Sequence, residues 1–169
     1  DLWSHARSCV GTQMALVDED SAQVRFPPPL IVFGCLMLGL GLGELLELPH
    51  IDSALLRPLG FVIGAVGAAI IGSGILGFVR AGNNPEPWKR DTAFVTSGLY
   101  RFTRNPMYLG MVLVQLGIAC AALSIGGLLS VPVAMLLVDR FVIAREERHL
   151  RATFGDEYRA YCERVRRWI

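Results

Sequence analysis

Four apolar stretches, separated by polar or turn-forming residues, dominate the pattern along the chain. They run over about 30–48, 55–79, 106–123 and 128–143. A helix needs about 20 mostly apolar residues to cross about 30 Å of hydrocarbon. The pattern therefore predicts an all-α membrane protein with about four transmembrane helices. Pro27, Pro28 and Pro29 cannot sit inside a helix, so they set the first span apart from a polar arm at 1–27. Gly39 and Gly43 in the first span, and Gly60, Gly64 and Ala68 in the second, form small-residue faces for close helix packing. Such faces serve a homo-oligomer as well as internal packing. Ser124 to Gly127 makes a tight, uncharged turn, so spans three and four form a helical hairpin. Pro132 is expected to kink the fourth span. Asp139 and Arg140 near its exit are expected to pair with each other or to snorkel.

The pattern changes after Ala144. Leu150, Phe154, Tyr158, Tyr161 and Val165 recur at helical spacing, while Arg148, Arg151, Arg159 and Arg166 take the other positions. This predicts an amphipathic segment over 144–168, lying on the membrane or capping the bundle, with Gly155 as a candidate break. The organisation is thus a polar arm and a single membrane domain over 28–169.

Composition sharpens the picture. The chain is 53% hydrophobic and 18% charged, against about 25% charged in soluble domains, which favours the membrane reading. Cys9, Cys35, Cys120 and Cys162 are widely spaced, so neither a disulfide framework nor a metal site is expected. Asp1 in first place points to trimming, and the opening segment lacks the apolar core of a signal peptide. Of the Lys and Arg residues, only Arg57 lies near the loop between spans one and two, and the turn between spans three and four has none. The positive-inside rule then puts both termini and the 80–105 segment in the cytoplasm. A bacterial inner membrane is the expected location, and nucleic acid is not an expected partner.

Two polar clusters end on that same face. The first runs from Thr96 through Arg101, Arg104, Asn105, Pro106 and Tyr108 to Gly110. Asn105 is a candidate helix cap and Pro106 a favoured first helical residue. The open helix end and the two arginines would attract a carboxylate or phosphate, and Gly110 permits a close approach to the backbone. The second cluster is Arg145, Glu146, Glu147 and Arg148, whose carboxylates can accept from an ammonium, an arginine or a diol. Taken singly, the first is equally a capped helix with interfacial arginines, and the second a solvated helix end. The hairpin brings anion-binding and cation-binding groups to one place.

The run Gly98-Leu-Tyr-Arg-Phe-Thr-Arg-Asn-Pro-Met-Tyr-Leu-Gly110, the Glu146–Glu147 pair, and Phe154-Gly-Asp-Glu-Tyr158 with Tyr161 resemble the isoprenylcysteine carboxyl methyltransferase and phospholipid methyltransferase superfamily. The resemblance covers about 80–167. It implies an integral-membrane methyltransferase without a Rossmann domain, using S-adenosyl-L-methionine. That molecule carries a carboxylate, an ammonium, a ribose diol and a sulfonium, which suit the two clusters. By analogy Arg101, Arg104, Asn105, Tyr108 and Gly110 line the cofactor site from one side and Glu146 and Glu147 from the other. Arg104 and Asn105 stand at the catalytic position. Eukaryotic members commonly carry His at the position of Asn105, and an amide argues against a general base there. Asn83, Trp88 and Tyr100 are candidates for a substrate entrance, with Trp88 equally a membrane anchor. The acceptor would be lipophilic or membrane-associated: an isoprenylcysteine-like carboxylate, a phospholipid amine or a small thiol. Two alternatives stand beside this reading. One is a nicotinamide-dependent membrane reductase of related architecture, and the other a non-catalytic membrane interaction protein.

Overall fold

The computed structural model describes residues 27–80 and 95–169. Four apolar helices form its body: α1 (Pro28–Leu45), α2 (Leu56–Arg80), α3 (Pro106–Ala121) and α4 (Ile125–Val138). A 3-10 turn, Gly98–Arg101, precedes α3. A π turn, Asp139–Ile143, carries α4 directly into α5 (Ala144–Arg164). There is no strand among the described residues. The protein is an all-α integral membrane protein. Three helices, α1, α2 and the continuous α4–α5 rod, are long and apolar enough to cross a membrane. The third expected span, α3, is apolar but has only 16 residues. Asn105-Pro106 sets its start, and Leu123, in the left-handed region at φ 54°, closes the turn after it.

Glycine decides how these helices pack. α3 runs antiparallel to α2, with Gly60 facing Gly117, Gly67 facing Gly110 and Gly74 facing Met107. A methyl group on Gly67 would lie 2.7 Å from the Gly110 carbonyl oxygen, so only hydrogen fits there. Gly60, Gly67 and Gly74 recur every two turns. Ala68, expected in this seam, is exposed instead, because a step of four overshoots a turn of 3.6 residues. Gly64 keeps its place through its backbone, which lies under Gly117. The expected Gly39–Gly43 face holds: α1 packs antiparallel on α4, against Gly126 and Ser130.

One further boundary differs from the sequence expectation. The hairpin turn is Ala122 to Ser124, and Gly126 and Gly127 already lie in α4. The Ser124 hydroxyl oxygen caps that helix by accepting from the Gly127 N–H at 3.1 Å. These glycines serve the approach of α1, not the turn. The helix also runs on through Pro132, and the departure from α geometry comes at the π turn. Gly155 breaks α5 as expected, with φ 51°.

At one end, the loop after α1 meets the α3–α4 turn, where the Ile51 N–H donates to the Leu123 carbonyl at 3.0 Å. Arg57 lies at this end. The start of α1, the start of α3, the π turn and the C-terminal residues gather at the other. Val32, Tyr108, Val138, Val142 and Ile143 form a buried cluster there, covered by Trp168. A second cluster, Tyr158, Tyr161 and Val165 with Leu150 and Phe154, is the apolar face expected for α5. Asp139 does not pair with Arg140. It accepts from Arg167 and Trp168, because the C-terminal residues fold back against the π turn.

Candidate active site

The chain entering α3 and the chain leaving α5 are laced together. The Arg104 N–H donates to the Arg166 carbonyl at 3.0 Å. Both the Thr103 hydroxyl (3.2 Å) and the Asn105 side-chain amide (3.0 Å) donate to the Arg167 carbonyl. Asn105 is therefore the residue before the helix without being its side-chain cap. The C-terminal backbone draws its amide away from the helix. The Asn105 N–H goes instead to the Thr103 hydroxyl oxygen at 3.2 Å.

Glu147 is the centre of the charge network. It is only 3% exposed. Arg167 donates to it from Nε (3.1 Å, Oε1) and Nη2 (2.7 Å, Oε2). Arg104 Nη1 lies 3.3 Å from Oε1 and Arg151 Nη2 3.3 Å from Oε2. A carboxylate this deeply buried must be paired with cations to stay charged. Arg167 also spans to Asp139, at 3.2 and 3.1 Å. Its hydrogen bonds to Glu147, and the charges of Glu147 and Asp139, raise its proton affinity above the ordinary arginine range against the opposing effect of burial. Beside this network, Tyr108 Oη donates to Glu146 Oε1 at 2.5 Å. Arg104 Nη1 also reaches Cys162 Sγ at 2.6 Å, while its buried Nε has no hydrogen-bond partner. A cleft of about 460 Å³, lined by Arg151, Gly155, Arg159, Cys162 and Glu163, opens alongside.

The two sequence clusters thus meet. Arg104 touches Glu147 and Tyr108 touches Glu146, so Arg104, Asn105, Tyr108, Glu146 and Glu147 share one end of the bundle. Arg101 lies apart, exposed at the end of the 3-10 turn. Gly110 faces Gly67 and Ile71 of α2, so the close approach it permits is that of a helix. Tyr100 is buried, and its carbonyl accepts from the Tyr161 hydroxyl at 2.7 Å. Asn83 and Trp88 lie outside the described residues. Sequence reasoning did not place Thr103, Cys162, Arg167 or Trp168 in this network, and it gave Asp139 the wrong partner. One signal was available for Asp139: a carboxylate beside an apolar span needs a partner. None was available for the contacts of Thr103 with Arg167 and of Cys162 with Arg104, which span 64 and 58 residues.

The sequence model of the family described as phospholipid methyltransferase matches residues 65–157, more than half of the chain. The chain belongs to that family. As a family member it is a membrane methyltransferase, with the matched stretch carrying Arg104, Asn105, Tyr108, Glu146 and Glu147. Arg167 and Trp168 lie beyond it. Over 63 residues the chain is 41% identical to an uncharacterized protein of Haemophilus influenzae, a match to 37% of this chain and the whole of that protein. Over 73 residues it is 44% identical to methanethiol S-methyltransferase 1 of Bradyrhizobium diazoefficiens, a match to 43% of this chain and 24% of that enzyme. No solved structure matches the chain.

Proposed function

We propose that the protein transfers a methyl group from S-adenosyl-L-methionine to a lipophilic or membrane-associated acceptor, at the end of the bundle where α3 meets α5. One observation carries the reading: in a chain of a methyltransferase family, Arg104 and Tyr108 at the start of α3 directly contact Glu147 and Glu146 of α5. The donor set fits the ligand. Arg104 has a buried, unpartnered Nε suited to a carboxylate. Glu146, next to Tyr108, suits an ammonium or a ribose hydroxyl. The adjoining cleft, at about 460 Å³, falls in the usual range of about 300–1,000 Å³ for small-molecule sites.

When bound, the cofactor supplies a methyl group already made electrophilic by its sulfonium. The residues of this chain then have to orient the partners and exclude water. Glu147, engaged by three arginines, holds Arg104 in place and acts on the ligand through it. Asn105, an amide, bonds and orients but takes no proton. A carboxylate or thiolate acceptor needs no base, whereas an amine must be neutral and releases a proton to water or to a nearby carboxylate such as Glu146. Asn83, Trp88 and Tyr100 are proposed as the residues that meet the acceptor. The end of the bundle where α3 meets α5 faces the cytoplasm of a bacterial inner membrane in this reading, because the arginines of α5 and of the turn before α3 gather there.

The reading is tested by calorimetric titration of detergent-purified protein with S-adenosylhomocysteine. Wild type binds, Arg104→Ala and Glu146→Ala bind at least about tenfold more weakly, and NADPH does not bind. Absence of wild-type binding, or equal binding by both variants, overturns it. Transfer of radiolabelled methyl groups into membrane extract, with the product identified, then separates carboxylate, amine and thiol acceptors.

A further inference from the structure

Arg167 makes contacts out of proportion to its place near the end of the chain. Its side chain donates to both oxygens of Glu147 and both oxygens of Asp139. Its main-chain carbonyl accepts from the side chains of Thr103 and Asn105. The neighbouring residues add to the hold: the Arg166 carbonyl takes the Arg104 N–H, and Trp168 Nε1 donates to Asp139 Oδ1 at 3.1 Å. Val165, in extended conformation, ends α5 and lets the backbone turn across the start of α3. One residue therefore joins three elements: the segment before α3, the π turn after α4, and the first turn of α5.

The chemistry suits a positioning role. Guanidinium is a rigid, planar fork of five donors, and here it serves two carboxylates at once, which an ammonium on a flexible stem cannot do in the same geometry. Glu147 also touches Arg104, so whatever holds Glu147 sets where the Arg104 guanidinium points. The carbonyl contact fixes the Asn105 amide by its nitrogen, leaving its orientation defined. None of this needs Arg167 to touch a ligand.

We propose that Arg167 is a positioning residue that sets the geometry of Arg104, Asn105 and Glu147, and so the affinity for the methyl donor. The proposal rests on the reading of the site given above, and its test separates the two. S-adenosylhomocysteine is titrated into wild type, Arg167→Ala and Arg167→Lys, and Arg167→Ala is repeated with millimolar guanidinium. In the same samples the rate at which N-ethylmaleimide modifies Cys162 is followed by peptide mass spectrometry. Cys162 reports because its sulfur rests on Arg104.

The expected result is about tenfold weaker binding by Arg167→Ala, little recovery in Arg167→Lys, and recovery of Arg167→Ala on adding guanidinium. Cys162 modification is expected to speed up several-fold in Arg167→Ala and to slow again with guanidinium. A merely structural contribution would speed modification of the buried Cys120 along with that of Cys162, whereas a positioning role leaves Cys120 protected. Millimolar guanidinium is far below the molar range that denatures, so it refills the ion pair without unfolding the protein. Wild-type-like binding by Arg167→Ala, or failure of guanidinium to restore either readout, overturns the proposal. If wild type does not bind S-adenosylhomocysteine, the methyl-donor reading fails, and with it the affinity claim. The Cys162 rates then decide whether Arg167 sets the geometry around Arg104.

Discussion

Where α3 meets α2, backbone lies against backbone: Gly60 faces Gly117, and Gly67 faces Gly110. Where α3 meets α5, the contact runs through some of the longest side chains in the molecule, from Arg104 to Glu147 and from Tyr108 to Glu146. The difference follows the surroundings. Between helices in lipid there is little hydrophobic drive, because lipid tails are as apolar as leucine, so closeness of packing has to hold them. At the polar end, charge can be buried only when it is paired, so the groups there lean on one another. The seam fails when something is added. The polar end fails when something is removed.

Four substitutions test that contrast. The largest effect is expected from Gly117→Leu, whose side chain would run into the Gly60 carbonyl and the Gly64 backbone. A backbone clash should exceed the usual overpacking cost of about 3 kcal/mol, seen as loss of monodisperse protein on gel filtration in detergent. A variant that purifies like wild type would mean the seam is not tight. Next is Glu147→Ala, which leaves Arg104 and Arg167 without their shared anion. A loss of about 3 kcal/mol is expected, read by titration with denaturing detergent in mixed micelles.

Gln115→Leu should do far less despite full burial. Its Nε2 donates to Ser130 Oγ at 2.9 Å, but its Oε1 has no partner. Hydrogen bonds between membrane helices are worth about 0.6 kcal/mol on average, and removing an unsatisfied carbonyl offsets part of that. A loss well above about 1 kcal/mol would show that the polar logic extends into the middle of the bundle. The smallest effect is expected from Gly72→Ala. Nothing lies within 4 Å of the added methyl group, and α2 should gain up to about 1 kcal/mol of helix propensity. A loss there would place Gly72 in a contact between copies of the chain.

The helices, the hairpin, the amphipathic face of α5 and its break at Gly155 were all legible in the residues, because each depends on local periodicity or on one backbone angle. That the start of α3 and the Glu146–Glu147 region lie at one end was also legible, because a short turn after α3 forces the two ends of a hairpin together. Other features were not. A four-residue step suggested Ala68 where a seven-residue repeat selects Gly67 and Gly74. Gly126 and Gly127 read as a turn because glycine marks turns and close contacts alike. Asn105 read as a cap because that is what asparagine before proline does when nothing else competes for its amide.

Periodicity and residue type along the chain were enough to establish a helical membrane protein in which Arg104, Tyr108, Glu146 and Glu147 share one end. They could not establish which partner each charged group takes. Glu147, Asp139 and Asn105 all had nearer candidates in sequence than Arg167, which lies 20, 28 and 62 residues away. Hydrogen bonds and ion pairs depend on distance and direction in space, and those came into being only when the residues after α5 folded back across the start of α3.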